Sequence, residues 1–305
     1  MPSLPSLPPA TSGQTQGDHL DWTVGQRYTA YGLRFGLRAN DPAALAQAAP
    51  HLPLGWQPAP TSDTGAVDIL YSLRLARSTL PPSGVAGQAL PHQQKGRRNY
   101  HLLYCGADLL ARTLDLPSLL TTLEKHAELL TAFLAQDCLF VHAGVVGWQG
   151  QAILMPGRSM SGKTTLVRAL IEAGATYYSD EFAVLDKAGR VQPYPVPLSI
   201  RGNNGQPNSK TPVESLGGRA GVEPLPAGLI LVTAYQPEAR WRPRRLTPGQ
   251  ALLALMDNTV AAQRNPAHSM PILKQIVSAA VALKSKRGEA GDVAPRLLSR
   301  FEKSY

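Results

Sequence analysis

Gly157-Arg158-Ser159-Met160-Ser161-Gly162-Lys163-Thr164 is the stretch on which the reading of this chain turns. It fits G-x-x-x-x-G-K-[ST] without exception. The glycines let backbone N–H groups converge on phosphate oxygens with no side chain in the way. Lys163 is placed to neutralise β- and γ-phosphate charge, and the Thr164 hydroxyl to ligate Mg²⁺. Four fixed positions in eight can match by chance, so the flanks decide. Ile153-Leu154-Met155 reads as a strand entering the loop. Beyond it Leu166, Val167, Leu170 and Ile171 recur on one helical face, with Gly174 as a natural stop. A helix opening at the loop adds the partial positive charge of its N-terminus. With Thr165, the first residue past the motif, the candidate binding set is Gly157, Arg158, Ser159, Met160, Ser161, Gly162, Lys163, Thr164 and Thr165.

Moving outward, Leu139-Phe140-Val141 reads as an apolar strand. Val145–Trp148 and Gln151–Met155 read as a hairpin turned at Gln149-Gly150. Downstream of Gly174, Thr176-Tyr177-Tyr178-Ser179 and Phe182-Ala183-Val184-Leu185 are two short strand-like runs separated by Asp180-Glu181. An acidic pair between an aromatic and an apolar run is expected at a strand end, at the sheet edge that carries the phosphate loop. One carboxylate can then take a proton from an attacking hydroxyl while the other holds Mg²⁺ or water. Thr164, Asp180 and Glu181 form the candidate metal set.

The two ends of the chain read differently. Residues 1–20 are expected to be a flexible tail, and 21–115 a small α+β domain. Its signals are the alternation of Leu33, Phe35 and Leu37 with Arg34, Gly36 and Arg38, a short helix opened by Asp41-Pro42, and strands at Val67–Leu75 and Tyr100–Cys105. A helix opened by Pro117 carries Leu119, Leu120, Leu123, Ala127, Leu130, Phe133 and Leu134 on one face. It is expected to be a connector over 116–136, leaving 137–305 as the phosphate-loop domain. In that domain Gly228–Thr233 reads as a buried strand. Thr247-Pro248-Gly249-Gln250 is a capping box for a helix to about Arg264, and Pro271 opens another.

Composition excludes several classes. With 43% hydrophobic and 17% charged residues, the 305-residue chain can bury a real core, so it is not disordered. The 27 prolines and 27 glycines gather near the N-terminus and around 76–97 and 189–226, which marks loops. Cys105 and Cys138 are too few for a disulfide framework or metal cluster and lie in apolar stretches, which predicts buried free thiols. The N-terminus has no secretory pattern and no segment is long enough to span a bilayer, so a cytoplasmic protein with no membrane partner is expected. Net charge is +9 with a pI near 9.7. The basic clusters Lys95–Arg98, Arg240–Arg245 and Lys284–Arg287 read as solvated loop and helix-end charges. Attraction of an acidic partner is the functional alternative. No nucleic-acid-binding module accompanies them, so no nucleic-acid partner is expected.

Residues 139–201 resemble the catalytic domain of HPr kinase/phosphorylase. That family has a histidine at a short L-H-G-like strand end, a strand into its phosphate loop, a helix, a glycine and an A-D-D-like acidic pair. The corresponding pieces are Val141-His142-Ala143-Gly144, loop 157–164, the helix ending at Gly174, and Ser179-Asp180-Glu181. Leu198-Ser199-Ile200-Arg201-Gly202 is a weaker echo of the family's E-x-R-G signature. The resemblance implies an α/β fold: a P-loop domain of the HPr kinase/phosphoenolpyruvate carboxykinase type after the small α+β domain. It also implies ATP and Mg²⁺ as cofactors, homo-oligomers, and a phosphate acceptor that is a serine-type hydroxyl of a protein, peptide or small molecule. Among site residues it implies Lys163 on the phosphates, Asp180 as general base, His142 orienting the acidic pair and Arg201 bracing the transferred group.

The departures narrow this expectation. Glu181 stands where the family has its second Asp, Ser199 replaces the signature glutamate, and Asn203-Asn204 break the pattern after Arg201. In the family that signature is linked to the reverse, phosphorolytic reaction. A kinase-type relative is therefore expected rather than the bifunctional enzyme. Two other readings compete: an ATP-binding regulatory or assembly protein, and a hydrolytic ATPase. The second is weakened because Tyr177-Tyr178-Ser179-Asp180 is a poor version of the apolar strand that such enzymes end in Asp.

Overall fold

The computed structural model describes residues 22–60, 62, 65–76, 99–157, 161–200, 209–262 and 264–302. The expected tail, most of the 76–97 loop, the Lys95–Arg98 cluster, Arg158, Ser159, Met160, Arg201, Asn203 and Asn204 lie outside the described residues. The chain is mixed α/β and forms two compact units, one up to Thr131 and one from Ala132.

In the first unit β1 (Val24–Ala30) and β2 (Leu33–Ala39) form a hairpin. Its turn, Tyr31-Gly32, has both residues at positive φ, 51° and 80°, as a two-residue hairpin loop requires. Then come α1 (Pro42–Ala48), β3 (Gln57–Pro58), β4 (Ile69–Arg74), β5 (His101–Cys105) and β6 (Asp108–Thr113). The sheet order is β3-β1-β2-β4-β5-β6, with only β2 and β4 parallel among these neighbours, joined through α1. Asp41 caps α1 by accepting from the Ala43 N–H. Trp56 stacks on Phe35 with ring centroids 3.9 Å apart, at the centre of this core. The helix expected as a connector, α2 (Leu116–Leu134), is tied to that core. Trp56 Nε1 donates to Thr131 Oγ1 at 3.1 Å, and the Tyr71 hydroxyl lies 2.9 Å from His126 Nδ1.

The second unit is a layered α/β sheet. Its elements in order are β7 (Cys138–Trp148), β8 (Gln151–Pro156), α3 (Lys163–Glu172), β9 (Thr176–Ser179), β10 (Phe182–Asp186), β11 (Arg190–Gln192), β12 (Leu198–Ile200), β13 (Ser209–Thr211), β14 (Leu225–Tyr235), β15 (Arg244–Arg245), α4 (Pro248–Met256), α5 (Pro266–Ala279), β16 (Val281–Arg287) and α6 (Ala290–Glu302). The strand order is β11-β10-β7-β8-β14-β16-β15, with β9 also pairing β7. At its centre β8, β14 and β16 run parallel.

Their continuous apolar runs are explained by burial on both faces. Ile153, Leu229 and Leu231 pack under α3 and α6, with Leu166, Val167, Leu170 and Leu297. The alternate residues Leu154 and Ile230 pack against α4 and α5, with Leu255, Leu273 and Ile276.

Four expectations are corrected. The strands expected at 139–141 and 145–148 are one strand of 11 residues, β7. Helix α4 has the expected capping box but stops at Met256, because the chain turns there to lend the Asn258 carbonyl to the His142 N–H at 2.7 Å. Helix α5 starts at Pro266, not Pro271, since the Asn265 side chain caps it. Lys284–Arg287 is not a loop or helix end but the last part of β16. The Gln149-Gly150 turn is as expected, with φ of 48° and 74°. Both cysteines are free, Cys105 buried and Cys138 partly so. Among the described residues no helix is long and apolar enough to cross a membrane.

Candidate phosphate-binding site

Strand β8 ends at Pro156, and the chain returns as α3 from Lys163. Gly162 precedes the helix in the left-handed region, φ 84°, which favours glycine. The N-caps of α1, α4 and α5 are side chains that bond the first turn, but Gly162 offers none, so the N–H groups of α3 stay available to an anion. Helix and sheet are in close contact here: a Cβ on Gly144 of β7 would lie 2.6 Å from Val167 Cγ2 and 3.7 Å from Lys163 Cβ.

The neighbouring strands supply the acids. Strands β9 and β10 both pair with β7, so the Asp180-Glu181 break between them falls beside the loop. Asp180 is only 5% exposed. Its Oδ2 accepts from Thr164 Oγ1 at 3.0 Å, which joins the motif's hydroxyl to the acidic pair. The Tyr177 phenol lies 3.0 Å from Asp180 Oδ1 and 2.6 Å from the Val196 carbonyl, so one proton serves two acceptors, the first buried and the second partly so. Burial, reinforced by Asp180, pushes the Tyr177 phenol far above its usual range and keeps it protonated.

Glu181 is half-exposed, with His142 Nδ1 3.9 Å from its Oε1, a proximity longer than a hydrogen bond. Burial and then Asp180 raise the Glu181 carboxyl, while Lys163 opposes the shift. Burial and then Lys163 lower the His142 imidazole, which favours the neutral ring. That ring lies over Phe182, centroids 4.5 Å apart. The His142 backbone is fixed as well, since its carbonyl accepts from the Gly157 N–H at 3.2 Å. Lys163 Nζ donates to the Gly157 carbonyl at 2.5 Å, and burial lowers its pKa against the pull of Glu181 and Asp180.

The structure thus brings together Gly157, Ser161, Gly162, Lys163, Thr164, Asp180, Glu181 and His142. Thr165 follows on the exposed side of α3. Arg158, Ser159, Met160 and Arg201 are outside the described residues. Two residues of the site were not singled out by sequence: Tyr177, which lay in an aromatic run, and Arg287, which lay in a basic cluster. Arg287 Nη2 donates to the Gly162 carbonyl at 2.7 Å.

The residues fit a polyphosphate with Mg²⁺. Ser161 Oγ is buried with no hydrogen-bond partner among the described residues, and a Cβ on Gly157 would come within 2.8 Å of it. A hydroxyl and two carboxylates are hard oxygen donors of the kind Mg²⁺ takes, with water and phosphate as its remaining ligands. Among the described residues no group of three or more His, Cys, Asp and Glu is placed to hold a metal ion. No protein-family model matches the chain, and no curated protein matches it.

Proposed function

We propose that this protein is a Mg²⁺-ATP-dependent kinase that transfers phosphate to a serine-type hydroxyl of a protein, peptide or small molecule. Its second unit would then be a P-loop domain of the HPr kinase/phosphoenolpyruvate carboxykinase type. The observation that carries the reading is the 3.0 Å bond from Thr164 to Asp180 at the start of a helix without a side-chain cap, with Glu181 and Lys163 alongside. A phosphate-loop hydroxyl bonded to a buried carboxylate is a pair suited to a metal that bridges phosphates.

The sequence reading put the general base on Asp180. The geometry favours a division of labour. Asp180 is buried and both of its oxygens already accept hydrogen bonds, which suits a metal ligand. Glu181 is half-exposed and carries no such bonds to Thr164 or Tyr177, which suits the group that meets an acceptor. In transfer, the acceptor oxygen attacks the γ-phosphorus, the bond to the β–γ bridging oxygen breaks, and the acceptor proton passes to Glu181. Thr164 and Asp180 would hold Mg²⁺, which would supply charge neutralisation on the phosphates. Lys163 shares in that, His142 orients Glu181, and Arg201 keeps the bracing role that the resemblance implies.

The test pairs Glu181→Gln with Asp180→Asn, reading MgATP affinity by calorimetry and turnover by ADP release or acceptor phosphorylation. Glu181→Gln is expected to bind MgATP and lose about 10²–10⁴-fold in turnover. Asp180→Asn is expected to weaken the Mg²⁺ requirement of binding as well. If both variants bind and turn over ATP like the wild type, neither carboxylate takes part in transfer, and an ATP-binding regulatory or assembly protein becomes the better reading.

A further inference from the structure

Arg287 is 2% exposed, the largest fully buried side chain among the described residues. Along β16, Lys284 and Lys286 face solvent while Ser285 and Arg287 face inward, so the strand's alternation drives the guanidinium under the phosphate loop. Its Nη2 donates to the Gly162 carbonyl at 2.7 Å and its Nη1 to the Gly288 carbonyl at 3.0 Å. Its Nε has no partner among the described residues, and its Cζ is 5.5 Å from the Tyr235 ring centroid. A Cβ on Gly162 would lie 2.6 Å from Nη2, so the two are in direct contact.

The charge balance around this side chain is unusual. None of the ion pairs among the described residues involves Arg287. The acidic group that acts on it most, Glu289, accepts the Tyr235 hydroxyl at 2.8 Å. Its charge lies instead against the N-terminus of α3, where the helix dipole is also positive, one residue from Lys163. A buried cation that makes no ion pair among the described residues, with Glu289 already bonded to Tyr235, costs stability, and this placement adds to the cost. Two carbonyl bonds could be made by a neutral side chain. Such a guanidinium is explained if its counter-charge arrives from outside the chain.

We propose that Arg287 is a third cation of the phosphate site, held there to be balanced by the phosphate chain of a bound nucleotide. The inference rests on the phosphate-loop reading. Arg287 acts on the phosphates through space and through the Gly162 carbonyl, so it is a positioning residue rather than a catalytic one. It follows that stability and affinity are opposed at this position. Removing the charge relieves the protein without nucleotide and weakens binding, most for the ligand with most phosphate charge.

The experiment uses the full chain with Arg287→Met, which keeps an apolar stem without the charged head, and Arg287→Lys, which keeps the charge. Thermal unfolding without nucleotide is measured beside Kd for MgATP, MgADP and AMP. Arg287→Met is expected to unfold no lower than the wild type and to bind MgATP about tenfold or more weakly, the effect of one unit charge a few ångströms away in a partly buried site. The loss should be smaller for MgADP and smallest for AMP. Arg287→Lys should stay within about threefold of wild type for MgATP, since a retained charge sustains the attraction. A lower unfolding midpoint with unchanged Kd would show that Arg287 only braces the Gly162 turn, and would overturn the proposal. Should Arg287→Met fail to fold, Arg287→Lys decides: wild-type-like affinity supports the charge role and a large loss refutes it. Wild-type protein and Lys163→Ala serve as controls. If the wild type binds no nucleotide the phosphate-loop reading fails, whereas equal binding by wild type and Arg287→Met removes Arg287 alone.

Discussion

Gly144 lets helix α3 sit close against β7, and Gly144→Ala should reveal it. The added Cβ would lie 2.6 Å from Val167 Cγ2, where ordinary contacts are 3.4–4 Å, so about an ångström must be found. Val167 is fully buried in α3, and a β-branched side chain in a helix has essentially one rotamer, so it cannot turn aside. The helix must move instead, and with it Lys163 and Thr164. Overpacking of this kind costs about 1–3 kcal/mol. For a unit of this size that lowers the unfolding midpoint by roughly 2–4 °C per kcal/mol. The assay is urea unfolding, with an unchanged slope and a lower midpoint expected. MgATP affinity should fall as well, because the loop's cation and hydroxyl are displaced. Val167→Ala alone should cost about 2 kcal/mol through the lost methyls and the cavity. Combined with Gly144→Ala it removes the clashing atom, so the double variant should be more stable than the sum of the single costs by about 1 kcal/mol or more. Strict additivity, or a Gly144→Ala protein as stable as the wild type, would show that α3 is not seated on β7 in the way described.

Two further outcomes can be checked in the same preparations. Tyr177→Phe removes the proton shared by Asp180 Oδ1 and the Val196 carbonyl, leaving both acceptors without it. It should cost about 1–3 kcal/mol by urea unfolding and weaken binding of MgATP more than of metal-free ATP. In the first unit burial lowers the His126 pKa below 6.5, so the unfolded chain takes up its proton first. The stability due to neutral His126 is therefore complete above pH 6.5 and lost as pH falls from there towards the lowered folded value. Urea midpoints at pH 7.5 and 5.5 should differ in the wild type, and differ less in His126→Gln, where only the like-signed contribution of His142 remains.

What was legible in the sequence had short-range causes. Motif, hairpin turn, capping box and paired carboxylates each state their chemistry within about ten residues, and Gln149-Gly150 and Thr247–Gln250 adopt the expected local geometry. The candidate phosphate loop stands out in the sequence because its residues are contiguous, and Asp180-Glu181 because runs on either side read as strands. What misled was a local pattern overruled at a distance. Helix α4 opens on a full capping box, yet ends at Met256, where β7 takes the Asn258 carbonyl. The two expected strands around Ala143-Gly144 are one, since pairing with β8, β9 and β10 carries the backbone straight through a glycine that would have been a plausible break. Strand β1, with arginine and glutamine among its residues, carries no clear strand pattern of its own and is held by its pairing with β2.

Arg287 marks the boundary between these cases. In Val281-Ala282-Leu283-Lys284-Ser285-Lys286-Arg287 the cluster of charges dominates, and a basic cluster reads as solvated surface. Yet the same seven residues alternate. Had they been read as a strand, Arg287 would have shared a face with Leu283 and Ser285, opposite Lys284 and Lys286, and its burial would have followed. The missing datum was the period, not the chemistry. Parallel pairing with β14 sets that period, and β14 is more than forty residues earlier in the chain. A charge is assigned to solvent or to a site by the face of the element that carries it. Here that face is fixed by a partner strand that no local window contains, and the residue it turns inward is the one that bonds the Gly162 carbonyl of the candidate phosphate loop.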